Sequence, residues 1–264
     1  MSIIYINPFQ FAAAAAPWTP ADITTALWLD AADASTVTTV NGAVSQWDDK
    51  SGNGRNATQA TTSSRPAYTN AGLNGLNILT FDGGDTLVGS AQIANPGFGM
   101  FVVCSFADNT TRMGVVDIGN STNFRHCVIE QNTFNSPTQS YGFYVAGVAL
   151  YSSVPTSAGH KIISATSSAN PGSVIAATTT YTVNGTTATL TSATAGNYAT
   201  IGAGYTIGAF QGNILRLTGT VAEAIAFSAF VDTSTRQKLE GYLAHKWGLA
   251  ANLPANHPYK SAAP

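Results

Sequence analysis

Charge is scarce in this chain of 264 residues, in which Asp, Glu, Lys and Arg together make up 9%. Ordinary soluble domains carry roughly 25% charged residues. The formal net charge is −2, and the 11 Lys and Arg residues form no cluster anywhere in the sequence. Nucleic acids and anionic membrane surfaces are bound through clustered basic residues, so neither is an expected partner.

Long apolar runs and cysteine are also scarce. No stretch approaches the ~18 consecutive apolar residues that a bilayer-spanning helix requires. Cys104 and Cys127 are the only cysteines, and each lies in an apolar run, which favours two buried free thiols while leaving a disulfide open. The four histidines are scattered without metal-ligand spacing. The expectation is therefore that the protein has no metal and no cofactor.

Short runs rich in β-branched and aromatic residues recur from end to end, separated by turn residues. Clear examples are residues 26–30, 78–81, 100–106, 114–119, 141–145 and 161–166. Asn184-Gly185, between two such runs, is typical of a type I′ hairpin turn. Many short strands without intervening helices predict an all-β fold, a two-sheet antiparallel jelly-roll sandwich.

The C-terminal part of the chain is the exception to the β pattern. Residues 218–227 predict a last strand, and residues 232–248 predict the one convincing helix, followed by a stop at Gly248. Ser234 and Gln237 have capping-box spacing. The helix carries one apolar stripe, which we expect to contact the core. Its members are Leu239, Tyr242, Leu243 and Trp247.

The N-terminal residues 1–17 are apolar and rich in alanine, and they resemble a signal peptide only superficially. They have no positively charged start, and polar residues and a proline interrupt the apolar run. We expect an arm over residues 1–17 that packs on a neighbouring subunit or particle, before a domain over residues 18–264. The expected contact residues are Ile3, Ile4, Tyr5, Ile6, Phe9 and Phe11.

Several ordered blocks of the sequence resemble a known family. They are residues 26–33 (ALWLDAAD), 46–57 (QWDDKSGNGRNA), 65–68 (RPAY), 75–87 (GLNILTFDGGDTL) and the closing strand and helix through 247–249 (WGL). Together they resemble the concanavalin A-like lectin/glucanase superfamily, in its laminin-G-like jelly-roll branch, over about residues 18–260. The branch is common in phage virion proteins and bacterial surface proteins. The resemblance implies the fold more than the function, because this fold hosts lectins, glycanases, adhesion modules and virion scaffolds.

Glu223 is the best candidate for a catalytic carboxylate. Strand alternation places it on one face with Val221, Ile225 and Phe227, and an apolar face raises the pKa of a carboxyl, as a general acid requires. Glycoside hydrolysis needs two carboxyls about 5 to 9.5 Å apart, however, and the only other glutamates, Glu130 and Glu240, are distant in sequence. The resemblance implies a structural Glu223 beneath the closing helix, so no catalytic residue is expected.

Two further groups have both a functional and a structural interpretation. Asp82 and Asp85 could bind Ca²⁺ with help from Asp48 or Asp49, but an Asx turn with Gly83 and Gly84 at positive φ is favoured. Trp18 and Tyr68 are weak candidates for stacking against a sugar, whereas Trp28 and Trp47 are expected in the core.

The leading functional hypothesis is a non-enzymatic bacteriophage virion protein, a capsid or tail decoration subunit that forms a homo-oligomer and contacts other virion proteins. The alternative is a carbohydrate-binding adhesion module of a phage fibre or a bacterial surface, with a glycan as partner. The expected location is accordingly the virion, or else the cell surface or extracellular space. A glycan hydrolase or lyase is the third hypothesis.

Overall fold

The computed structural model describes residues 17–95, 98–120, 125–131, 139–145, 148–168, 178–192, 201–210 and 214–264. Antiparallel strands dominate these residues, and a helix follows the last strand. The prediction of an all-β sandwich with a C-terminal helix is therefore confirmed. Within the described residues, no helix has the length and apolar composition needed to cross a bilayer.

The strands form two sheets. The first sheet contains β1 (Leu27–Asp30), β5 (Ala67–Leu73), β6 (Leu76–Asp82), β8 (Phe98–Phe106), β13 (Lys161–Ser167), β14 (Thr179–Val183), β15 (Thr186–Ala188) and β18 (Thr218–Phe227). The second sheet contains β2 (Val37–Val40), β3 (Ala43–Trp47), β4 (Ala57–Thr58), β7 (Leu87–Asn95), β9 (Met113–Asn120), β10 (Arg125–Gln131), β11 (Ser140–Val145), β12 (Val148–Pro155), β16 (Leu190–Ser192) and β17 (Ile201–Ile207).

Neighbouring strands pair antiparallel throughout both sheets. The first sheet has the order β5-β6-β18-β8-β13-β14-β15. Strand β6 pairs with the first half of β18, and β1 pairs with the second half on the same side. The second has the order β2-β3-β4-β7-β17-β9-β10-β11-β12-β16. Among the described pairings, the two sheets are connected only where Ala43 of β3 pairs with Ala67 of β5.

The central strands of the first sheet are buried on both faces because their side chains alternate between two hydrophobic clusters. In β8, Met100, Val102 and Cys104 contribute to the core between the sheets, while Phe101 and Val103 contribute to a second cluster beneath the helix. A period of two sends successive side chains to opposite faces. This explains why β8 is almost continuously apolar.

Large aromatic side chains connect the two sheets across the core. Phe98 of β8 lies 5.2 Å from Phe143 of β11, measured between ring centroids. The buried hydroxyl of Tyr181 in β14 donates a hydrogen bond to the carbonyl of Gly142 at 3.1 Å. A buried phenol without a partner would be costly, so this bond lets a large ring fill the interior.

Helix α1 (Thr233–Lys246) has an identifiable capping residue at its start and a glycine stop after its end. Asp232 is the N-cap, and its carboxylate accepts a hydrogen bond from the backbone N–H of Thr235. The predicted capping box at Ser234 and Gln237 is therefore wrong, because the helix starts before Ser234. Gly248 has φ +70°, as the predicted stop requires.

The predicted apolar stripe of α1 is confirmed as a core contact. Leu239, Leu243 and Trp247 are fully buried against the first sheet, and Tyr242 is partly buried beside them. Hydrophobic burial of this face holds the helix on the sheet, because an isolated helix of this length is marginal in water.

Two other sequence predictions concern local backbone geometry. Asn184 and Gly185 both have positive φ between β14 and β15, as a type I′ turn requires. The strict alternation predicted for β18 is wrong at one point, because a bulge lies between Val221 and Glu223. Val221 therefore faces the core between the sheets, whereas Glu223 faces the helix.

Cys104 is a buried free thiol, as predicted, and burial raises its pKa to about 12. The side chain of Cys127 lies outside the described residues. The predicted arm contacts also lie outside them: Ile3, Ile4, Tyr5, Ile6, Phe9 and Phe11.

Candidate functional site

Glu223 lies beneath α1 with both carboxylate oxygens occupied. Its Oε1 accepts hydrogen bonds from Trp28 Nε1 at 2.8 Å and from the Tyr242 hydroxyl at 3.1 Å. Its Oε2 accepts from Trp247 Nε1 and Lys246 Nζ, each at 2.7 Å. Two strands and the helix thus converge on one carboxylate.

The environment of Glu223 does not suit a catalytic acid. Burial raises the pKa of its carboxyl, and the adjacent Lys246 ammonium opposes that rise. The residue is 0% exposed. A general acid must come within hydrogen-bond reach of its substrate, and Glu223 has no route to one in this arrangement.

The charged partners of Glu223 were not predictable from local sequence patterns. Asp30 pairs with Glu223 across β1 and β18, and Lys246 bridges the two carboxylates through a 2.6 Å contact with Asp30. Lys50 extends the network to Asp30 at 3.0 Å and to Asp33 at 2.8 Å. The pairing register of β1 with β18 brings Asp30 to Glu223, and the docked helix adds Lys246.

Asp82 and Asp85 form the turn between β6 and β7. Asp82 Oδ1 accepts from the Gly84 N–H at 2.7 Å, and Asp85 Oδ2 accepts from the Asp82 N–H at 3.0 Å. Gly83 has the expected positive φ of +92°, whereas the expectation for Gly84 is wrong. Burial raises the pKa of Asp85 to about 6.

The acidic side chains proposed as additional calcium ligands are engaged elsewhere. Asp49 accepts hydrogen bonds from the backbone N–H groups of Trp28 and Ser51, and Asp48 accepts one from Gln46. Across the described residues, no three His, Cys, Asp or Glu side chains are grouped as a metal site would require.

The aromatic residues considered for sugar stacking, Trp18 and Tyr68, contact other residues of the domain. Trp18 packs edge-on against Tyr242, with 6.2 Å between ring centroids, and Lys238 Nζ lies 5.8 Å from its ring. The Tyr68 hydroxyl donates to the Ala31 carbonyl at 2.9 Å. Trp28 and Trp47 are buried, as expected.

A second buried carboxylate, Glu240, joins α1 to the first sheet. Its partners are Arg236 Nη1 at 2.8 and 3.0 Å, the Thr182 hydroxyl at 2.7 Å, the Ser164 hydroxyl at 3.2 Å and His257 Nε2 at 3.2 Å. Burial pushes the pKa of Glu240 upward, but the His257 hydrogen bond and the Arg236 charge outweigh it, so the pKa is lowered. A cavity adjoins this network, lined in part by Arg236 and His257.

No protein-family model matches this chain, and no curated protein matches it. Solved structures do. Domain 4 of AbnA, an extracellular GH43 arabinanase from Geobacillus stearothermophilus in complex with arabinotriose, aligns at TM-score 0.54 and 9% identity, over 82% of this chain and 98% of that domain.

Two enzymes show a similar likeness over part of their length. An arabinofuranosidase complexed with arabinofuranosyl-α-1,2-xylobiose aligns at TM-score 0.53 and 13% identity, over 75% of this chain. This chain spans 50% of that enzyme. The sialidase of Trypanosoma rangeli aligns at TM-score 0.52 and 14% identity, over 81% of this chain and 34% of the enzyme. At these identities the likeness shows a shared β-sandwich fold alone.

Replacing Glu223 with Gln should destabilise the fold strongly. The amide removes the negative charge beside Lys246 and presents an N–H₂ group to other donors, so a loss of about 3–5 kcal/mol is expected in urea unfolding. Asp33→Asn, which alters the half-buried end of the same network, should cost less than about 1 kcal/mol. Equal losses for the two variants would contradict a central role for Glu223.

The change in unfolding free energy caused by Asp85→Asn should be more favourable at neutral pH than at acidic pH. The folded pKa of about 6 lies above the ordinary 3.8, so the stability linked to the protonated carboxyl is lost as pH rises through 6. Asn mimics the protonated form, and after solvent screening the relative gain should be on the order of 1 kcal/mol. Urea unfolding at about pH 4 and pH 7.5 measures it.

Asp108→Asn is the matched control for this pH dependence. Backbone hydrogen bonds from Thr111 and Thr110 lower the pKa of Asp108 to about 2, so this carboxyl stays ionised in the folded state over that range. The effect of this substitution should therefore differ only slightly between the two pH values, because only the unfolded carboxyl begins to protonate at pH 4. A pH-independent effect of Asp85→Asn would show that its carboxyl does not titrate in this way.

Proposed function

We propose that this chain is a non-catalytic carbohydrate-binding module built on a β-sandwich. The observation that carries the non-catalytic part is the enclosure of Glu223, whose two oxygens serve four protein donors beneath α1. Glu240 is enclosed in the same manner by four side chains. Both carboxylates act as structural connections between the helix and the sheet.

The fold comparisons support the carbohydrate-binding part. The arabinanase domain that aligns over 98% of its length was solved with arabinotriose, and the aligned arabinofuranosidase was solved with a substituted xylobiose. A surface that is poor in charge and rich in hydroxyl and amide groups suits neutral polyhydroxylated ligands, because it provides hydrogen bonds without costly desolvation of ions.

The proposal predicts binding without hydrolysis. The full chain should bind at least one saccharide on a glycan array that includes arabinan and xylan fragments and sialosides, while releasing no reducing sugar from the same compounds. Hydrolysis by the full chain that disappears in folded Glu223→Gln protein would overturn the non-catalytic assignment. Binding that disappears on Trp18→Ala or Tyr68→Ala would place the glycan at those aromatic residues.

A virion decoration subunit is the second candidate, and it is compatible with glycan binding. It is supported by the family resemblance and by the apolar sequence of residues 1–17, which is suited to covering a neighbouring subunit. An extended segment adds up to ~3.3 Å per residue, long enough to reach across a subunit interface.

Deleting residues 1–16 tests this second candidate. The truncated chain should lose self-association or particle attachment while keeping the thermal stability of its sandwich, as measured by light scattering and circular dichroism. Normal assembly by the truncated chain would contradict a role for the arm.

A further inference from the structure

A cavity of about 310 Å³ lies where three segments meet. The β14–β15 hairpin contributes Thr186 and Thr187, the first turns of α1 contribute Arg236 and Gln237, and the C-terminal segment contributes Asn256 and His257. Ligand pockets span roughly 300–1,000 Å³, so this cavity is at the small end of that range.

The base of the cavity is polar and buried. Arg236 and His257 are each 6% exposed, and both are bound to Glu240 behind them. Arg236 uses only Nη1 for Glu240, and no other described residue receives a hydrogen bond from its Nε or Nη2. These remaining N–H groups are available to a ligand in the cavity.

The charges at the base of the cavity are also close to balanced. His257 Nδ1 accepts the Tyr259 N–H at 3.2 Å, so the ring proton belongs on Nε2, which faces Glu240. This assigns a neutral imidazole. The carboxylate of Glu240 then balances the guanidinium of Arg236, and an anionic ligand would find no uncompensated positive charge there.

The rim of the cavity is formed by hydroxyl and amide side chains. Among the described residues, no hydrogen bond is made by the side chains of Thr186, Thr187, Gln237 or Asn256. Hydroxyl and amide groups both donate and accept, which matches the hydroxyl groups of a sugar. Pro254 adds an apolar surface to the lining.

We propose that this cavity is a binding site for one residue of a neutral saccharide. Arg236 would donate to a sugar hydroxyl at the base, while Gln237 and Asn256 bind hydroxyls at the rim. The small volume selects a single sugar residue over a stretch of polysaccharide. The inference deepens the proposed carbohydrate-binding function and rests on it.

Titration by ligand-observed NMR tests the site in the full chain. The probes are L-arabinose, D-xylose, D-galactose and arabinotriose, with D-galacturonic acid and N-acetylneuraminic acid as anionic sugars. At least one neutral probe should bind more tightly than either acid. The double variant Gln237→Ala with Asn256→Ala should weaken that binding by about tenfold or more, since it removes two hydrogen bonds.

The double variant Gln92→Ala with Asn252→Ala is the matched control. Both residues are exposed and lie outside the cavity, so binding should be unchanged. Preference for the anionic sugars would overturn the neutral specificity. Binding that is unaffected by the cavity variant, or no binding to any of the six probes, would overturn the site. The proposed function would be overturned as well only if the chain also bound nothing on the glycan array.

Discussion

The packing of α1 depends on the hydrogen bonds that the carboxylate of Glu223 accepts. A buried charge is tolerated only when it is fully hydrogen-bonded and paired, and Glu223 meets both conditions through two indole N–H groups, a phenol and Lys246. Its position fixes the helix with respect to β1 and β18. Hydrophobic burial supplies most of the stabilisation, but it is not directional, so the polar contacts determine how the helix sits.

Glu240 repeats this arrangement at the other end of the helix contact. It binds Thr182 and Ser164 on the first sheet, Arg236 within the helix and His257 in the C-terminal segment. The two networks together hold the helix and the C-terminal segment against the sheet. For the proposed sugar site, this packing means that Arg236 and His257 are held in place by Glu240 before any ligand binds.

Much of the fold was predictable because it depends on local patterns. Alternating apolar residues indicated the strands, Asn184-Gly185 indicated a hairpin, and the stripe on α1 indicated the face that contacts the core. The errors were also local in origin. A bulge beside Glu223 cannot be inferred from alternation alone. The N-cap is Asp232 and not Ser234, and residue preference could not separate them because both residue types favour that position.

The sequence by itself determined the class of fold, the closing strand and helix, and the shortage of charge that disfavours nucleic acids as partners. Tertiary structure alone decided which polar residues meet. Asp30 and Lys246 are far apart in sequence, and so are Thr182 and His257, yet the members of each pair meet at a shared carboxylate network. The physical reason is that strand register and helix docking are set by the whole core, whereas a sequence pattern reports only the preferences of neighbouring residues.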